Sequence, residues 1–219
     1  MSEKGTYLVL FDLDKTLLTT NSGKVLVWAS YKKGLLTTLN LLKAIILSLI
    51  YKLRLKNSVK ITELMVKWLK DVPETSVKDL ANNVVKRKLI HMLRPSMIRE
   101  IERHRAQGAH IVILSAALPY ICWPLANHLK LDDIICSSME IENGVFTGRP
   151  DGKICIEKEK EIRIQQYCLD KSYNLEETYC YCDSYSDRFA LELAGNPICV
   201  APDKRLRKLA KIRKWPVMD

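Results

Sequence analysis

Tyr7-Leu8-Val9-Leu10-Phe11-Asp12-Leu13-Asp14-Lys15-Thr16-Leu17 is an apolar strand that runs directly into two carboxylates and a hydroxyl. A strand apolar on both faces is buried in a sheet, so its end is where side chains meet solvent. In an open α/β sheet, ligands bind beyond the carboxyl ends of the strands, which puts Asp12, Asp14 and Thr16 on the floor of a site. Alternation turns Asp12 and Asp14 to one side. Two carboxylates that close raise each other's pKa unless a cation lies between them, so the pair predicts a shared proton or a bound metal.

Working outward, the next strand expected is Ala109-His-Ile-Val-Ile-Leu-Ser115, which delivers Ser115 to the same edge. A serine there can bond a phosphate oxygen beside the amides of a helix N-terminus, or serve as a plain helix cap. Thr178-Tyr-Cys-Tyr-Cys182 ends in Asp183-Ser-Tyr-Ser-Asp187. A hard cation such as Mg²⁺ takes oxygen ligands and keeps waters, so Asp183 reads as a direct ligand and Asp187 as a water-mediated one. Alone, the two could cap the helix that follows. Between these strands a helix over 157–169 opens Glu-Lys-Glu-Lys-Glu, offering Lys160, or alternatively Lys158, to the site or to a solvated face. The pattern also predicts a helix from Pro95 to Gln107 ended by Gly108, another over 119–129, a short strand near Ile134, and a hairpin turning on Asn143-Gly144. Pro197-Ile-Cys-Val-Ala201 is the last expected strand. The basic helix 204–214 after it docks through Leu206, Leu209, Ala210 and Ile212.

From about Asn21 to His91 the period is helical throughout, so an all-helical cap, residues 21–91, is inserted into a core made of 1–20 and 92–219. Its most apolar portion is 35–53, where Leu35, Leu39, Leu42, Ile46, Leu49, Ile50 and Leu53 share a face opposite Asn40, Ala44 and Ser48. Three readings compete: a buried cap helix, a helix lying on a membrane, and a span. Asn40, Lys43 and Ser48 weaken the span, and the basic flank Lys52, Arg54, Lys56 and Lys60 suits anionic lipid. Further cap helices are expected over 58–70 and 76–91.

Composition bounds the rest. The chain has 219 residues, 47% hydrophobic and 27% charged, with 35 basic and 25 acidic residues. It is long enough for one core and a smaller appended unit. The surplus of basic groups attracts anionic partners, among them phosphorylated substrates, acidic lipid and nucleic acid. Without an aromatic platform, nucleic acid ranks low. Seven cysteines without a CxxC pair suit a reducing compartment, and the Met1–Thr6 start leads into too short an apolar run for a secretory signal. A cytoplasmic protein is expected, at the inner face of a membrane if the cap is interfacial.

The ordered set DLDKT, LSAA, a lysine at a helix start, and DSYSD resembles the four motifs of the haloacid dehalogenase superfamily. The helical insertion after the first motif resembles its phosphoserine-phosphatase-like subfamily IB. Arg94-Pro95, Pro124-Leu-Ala126, the Gly144–Gly148 hairpin and the Pro202-Asp203 to Trp215-Pro216 ending are similar to a bacterial branch of that group.

The resemblance implies a three-layer, Rossmann-like α/β core and an aspartyl-phosphate mechanism. In it Asp12 is the nucleophile and Asp14 the acid and base. Ser115 and Lys160 hold the phosphoryl oxygens, and Thr16 orders the first loop. Mg²⁺ sits on Asp12, the Asp14 carbonyl, Asp183 and, through water, Asp187. Lys15 and Cys182 depart from common family residues without removing a reacting group. Asn21 and Ser22 stand where an acid for a substrate amino group is expected, which weighs against phosphoserine. The reading is a Mg²⁺-dependent phosphomonoesterase for a lipid phosphate or other amphiphilic monoester. The runner-up is a soluble small-metabolite phosphatase, and a catalytically silent membrane-binding scaffold ranks last.

Overall fold

β1, Leu8–Phe11, is the strand from which the sheet is built outward. A computed structural model describes residues 6–53 and 58–219, without the side chains of 51–53 and Ser58. Residues 1–5, Arg54 and Lys56 lie outside the described residues, as does the Lys52 side chain, so the basic flank is seen only through Lys60.

Among the described residues six parallel strands form one sheet. Its order is β3 (Asp133–Cys136), β2 (His110–Ser115), β1, β6 (Tyr179–Cys182), β7 (Asn196–Val200) and β8 (Val217–Met218). Phe11 pairs with Ile113 on one side and Tyr181 on the other, so the ends of β1, β2 and β6 are level. This is the expected Rossmann-like α/β layer structure. The two-residue β8 after Pro216 was not expected.

Period-2 alternation divides the core. Val9, Phe11, Ile111, Ile113 and Tyr181 face one layer, which includes α5 (Pro95–Ala106) and α6 (Pro119–Leu129). Leu8, Leu10, Val112, Leu114, Cys180 and Cys182 face the other, which includes α7 (Lys158–Lys171), α8 (Arg188–Leu193) and α9 (Lys204–Arg213). All seven cysteines are free. On α9, Leu206 and Ala210 are buried, but Ile212 points outward at 77% exposure because it falls on the solvent side of the helix.

Between β1 and β2 lie α1 (Ser22–Lys32), α2 (Thr38–Leu53), α3 (Ser58–Val66) and α4 (Glu74–Arg87). The second and third expected cap helices are shorter than the pattern suggested. α3 tightens into a 3₁₀ turn at Lys67–Leu69, and Pro73 caps α4, which gives way to another at Leu89–Met92. The segment enters and leaves through one place, where Leu18 bridges Leu93 and Thr19 N–H donates to the Met92 carbonyl at 2.8 Å. A second seam joins it to the antiparallel hairpin of β4 (Ser138–Glu142) and β5 (Val145–Asp151). There Asp71 N–H donates to Phe146 O at 2.9 Å, and Phe146 N–H to Val72 O at 3.0 Å. The hairpin turns on Asn143 and Gly144, both at positive φ. Gly148 at φ +79° is required at this seam, because a Cβ there would lie 2.8 Å from that of Lys70.

The helix read from Leu35 starts at Thr38, Leu35 packing against the core, and the part of the apolar face carried by Leu39, Leu42, Ile46 and Leu49 is turned outward. Leu39, Leu42, Ile46 and Leu49 are 53–62% exposed, whereas Leu41 and Ala44 pack inward. The buried-helix reading of that face is therefore corrected. Leu41 and Ala44 form the buried side of α2, and among the described residues no element covers the larger aliphatics opposite. No helix among the described residues is long and apolar enough to cross a membrane.

Candidate active site

Asp12 follows Phe11 at the end of β1 and continues the series Leu8, Leu10, so it lies toward the layer containing α7. On α7, Lys160, Ile164 and Cys168 recur at the i, i+4 spacing and form the buried stripe. That register carries Lys160 into the core at 2% exposure, where Nζ donates to Asp12 Oδ1 at 2.7 Å and meets Asp187 Oδ1 at 2.8 Å. Lys158, two residues earlier on the exposed side of the helix, pairs with Glu161 instead.

Asp12, Asp183 and Asp187 are buried together, each offering a carboxylate oxygen within 4.8 Å of the others'. The structure thus sets Asp12 beside Lys160 and the acids that follow β6, whereas strand alternation alone sets it beside Asp14. Burial pushes the Asp12 carboxyl up to about 7, opposed by the Lys160 ammonium and reinforced by Asp187. Burial, then Asp12 and Asp187, pushes Asp183 up to about 8. For Lys160, burial works against the charge, yet Asp12 and Asp187 hold its pKa well above the ordinary lysine value. Once ionised, three carboxylates around one ammonium leave two negative charges in excess. A divalent cation with oxygen preference would balance them, so these residues fit Mg²⁺.

Asp14 sits in the turn after β1, and its carboxylate is directed to the start of α1. Asn21 Nδ2 donates to Oδ2 and Ser22 N–H to Oδ1, both at 2.8 Å. Burial raises its pKa, and the bonds from Ser22 oppose the rise. Ser115 Oγ accepts the Ala117 N–H at 3.1 Å ahead of α6, which leaves the hydroxyl proton unused by that bond. Thr16 is fully buried and its hydroxyl has no hydrogen-bond partner among the described residues. Asp187 caps α8 by position only, its side chain being engaged with Lys160.

Three residues that shape the site were not singled out from the sequence for these roles. Arg94 donates from Nε to Thr16 O at 3.1 Å and from Nη2 to Lys15 O at 2.7 Å, holding the turn in which Lys15 has φ 65°. The turn is thus held by Arg94, not by the Thr16 hydroxyl. Asn21 fixes Asp14. Asp203 accepts the Tyr185 N–H at 3.0 Å, and its own N–H donates to Asp183 O at 2.9 Å, which sets the loop carrying Asp183 and Asp187. The signals were Arg-Pro at a helix start, and Asx residues at helix starts, each of which reads equally as local capping.

A model of the haloacid dehalogenase-like hydrolases matches residues 9–192. The chain is 28% identical over 222 residues to a probable phosphatase of Mycobacterium tuberculosis, covering 95% of this chain and 74% of the relative. It is 26% identical over 221 residues to a histidinol-phosphatase of Neisseria meningitidis, covering 97% and 98%. A crystal structure of a protein of unknown function from Bordetella pertussis has the same fold, with a TM-score of 0.86, 23% identity and coverage of 97% and 98%.

Proposed function

We propose that this chain, which belongs to the haloacid dehalogenase-like hydrolase family and is a phosphoric monoester hydrolase, works through an aspartyl-phosphate with Mg²⁺ on a lipid phosphate or other amphiphilic monoester. The observation that carries the chemistry is the Lys160 ammonium set between Asp12 and Asp187, in contact with both. In this reading 1–20 with 92–219 form the catalytic core and 21–91 the cap.

Lys160 holds Asp12 Oδ1, so Oδ2 attacks phosphorus in line. The Oδ2–phosphorus bond forms as the bond to the leaving oxygen breaks, and Asp14 gives that oxygen a proton. Burial raises the Asp14 pKa, which suits a carboxyl that must begin protonated. Asp14 then takes a proton from water as the water attacks phosphorus, releasing phosphate and restoring Asp12. The Ser115 hydroxyl and Lys160 hold the equatorial oxygens. Held by Asp12, Asp183, the Asp14 carbonyl and, through water, Asp187, Mg²⁺ would supply positive charge against the transferring group.

The outward aliphatic face of α2 supports an amphiphilic substrate. The histidinol-phosphatase relative favours a second reading, a small soluble monoester, as in phosphatases of the phosphoserine type. Phosphate release from a panel of lipid and soluble monoesters with Mg²⁺ separates the two. Release from lysophosphatidate or phosphatidylglycerophosphate, lost with chelator and in Asp12→Asn, supports the first reading. Release from soluble monoesters alone supports the second, and no release from any refutes both.

A further inference from the structure

We propose that the outward face of α2 docks on an anionic lipid bilayer. Leu39, Leu42, Ile45, Ile46 and Leu49 lie on one arc of the helix and are each 47–62% exposed, a contiguous aliphatic stripe. Scattered exposed aliphatics need no explanation, whereas a stripe on a single helix marks an interaction surface.

Charge identifies the partner. Residues 21–91 hold 14 Lys and Arg against 4 Asp and Glu, while the rest of the chain holds 21 of each. The formal charge of +10 therefore belongs wholly to the inserted segment. Residues 15–62 contain no acid and nine bases, of which Lys32 and Lys33 at the end of α1 and Lys43 on α2 are exposed.

A second copy of the chain would bring this charge against itself. Nucleic acid would satisfy the charge but give the leucines and isoleucines nothing apolar to enter. An acidic bilayer satisfies both, with the aliphatic side chains in the headgroup boundary and the lysines at the phosphates. The inference deepens the amphiphilic-substrate reading, on which it rests for its purpose, since a docked cap would receive substrate from the same surface.

Docking is measured without turnover. The full chain is sedimented with vesicles of phosphatidylcholine alone or mixed with phosphatidylglycerol, at ionic strengths from about 0.1 M to about 1 M. The expected result is binding to the mixed vesicles only, lost at high salt, and about tenfold weaker in the Leu42→Gln/Ile46→Gln protein. That variant should keep its circular dichroism and its turnover of p-nitrophenyl phosphate. Asp12→Asn should bind like the parent, so failure of the catalytic reading would leave docking intact. Equal binding to both vesicles, or undiminished binding by the double variant, would overturn the inference. So would a salt-stable dimer, seen by sedimentation velocity, that the double variant dissolves.

Discussion

Replacing Lys160 by methionine keeps the volume of the side chain and removes the one ammonium in contact with both Asp12 and Asp187. Taking one partner from a buried ion pair costs about 3–5 kcal/mol when the orphan stays charged. Here the cost is limited by protonation, because burial already holds Asp12 at about 7 with Lys160 present. A folded pKa raised above its unfolded value contributes stability that is present at low pH and is lost as pH rises through the folded pKa. In the parent that loss ends near pH 7. In Lys160→Met the folded pKa moves higher, so the loss continues at about 1.4 kcal/mol per pH unit beyond it. The variant should therefore be about 3 kcal/mol less stable than the parent at pH 8, with about 1.4 kcal/mol of that gap gone by pH 6. Urea unfolding in chelator, at half-unit pH steps, measures this directly. A gap that is constant with pH, or a variant as stable as the parent at pH 8, would refute the account of Lys160 as counter-charge to Asp12.

Arg94→Met leaves the Lys15 and Thr16 carbonyls without their donor and should lower kcat about tenfold with KM little changed, Arg94→Lys restoring part of it; steady-state kinetics decide. Buried His104 bonds the Tyr7 and Tyr181 hydroxyls, both at 2.8 Å, and burial lowers its pKa to about 4. The unfolded chain then binds the extra proton as pH falls below about 6.5, which should remove about 2 kcal/mol between pH 7.5 and pH 5. Comparing the urea midpoints of the parent and His104→Gln across that range isolates the effect. Gly195→Ala would set a Cβ 1.9 Å from the Glu176 carbonyl and should cost about 3 kcal/mol in thermal unfolding without altering KM.

The sheet was legible because buried parallel strands are short apolar runs with chemistry at one end, as in 7–17, 109–115 and 178–187. The α6 bounds, Pro119–Leu129, match the pattern since a first-turn proline fixes the start. The choice between Lys158 and Lys160 was also open to the eye. Ile164 and Cys168 extend a stripe from Lys160, and the exposed Ile162 belongs to the row of Lys158. Less was available for α2, because periodicity says which residues share a face and not whether a neighbour covers it. Asp14 misled for a related reason: strand alternation stops at the turn after Asp12, so the carboxylate goes to Asn21 and Ser22. Arg94 was hidden because its targets are carbonyls 78 and 79 residues away in sequence.

The bridge between Leu18 and Leu93 gives the inserted helices adjoining entry and exit points. A segment so attached can be lengthened, shortened or exchanged at small entropic expense, since loop closure depends only logarithmically on length. For protein engineering this makes the stretch a cassette: a foreign cap could be grafted between the two leucines without re-registering the sheet. Two compatibility rules follow: a graft must present an edge like Asp71–Val72 to Phe146 or leave that strand unpaired, and it must replace Leu80, Ala81, Val84 and Val85 of α4, which lie in the buried cluster with Ile121 and Leu125 of α6. Chimeras that keep 67–89 should then fold, and those that replace 67–74 should lose the hairpin first.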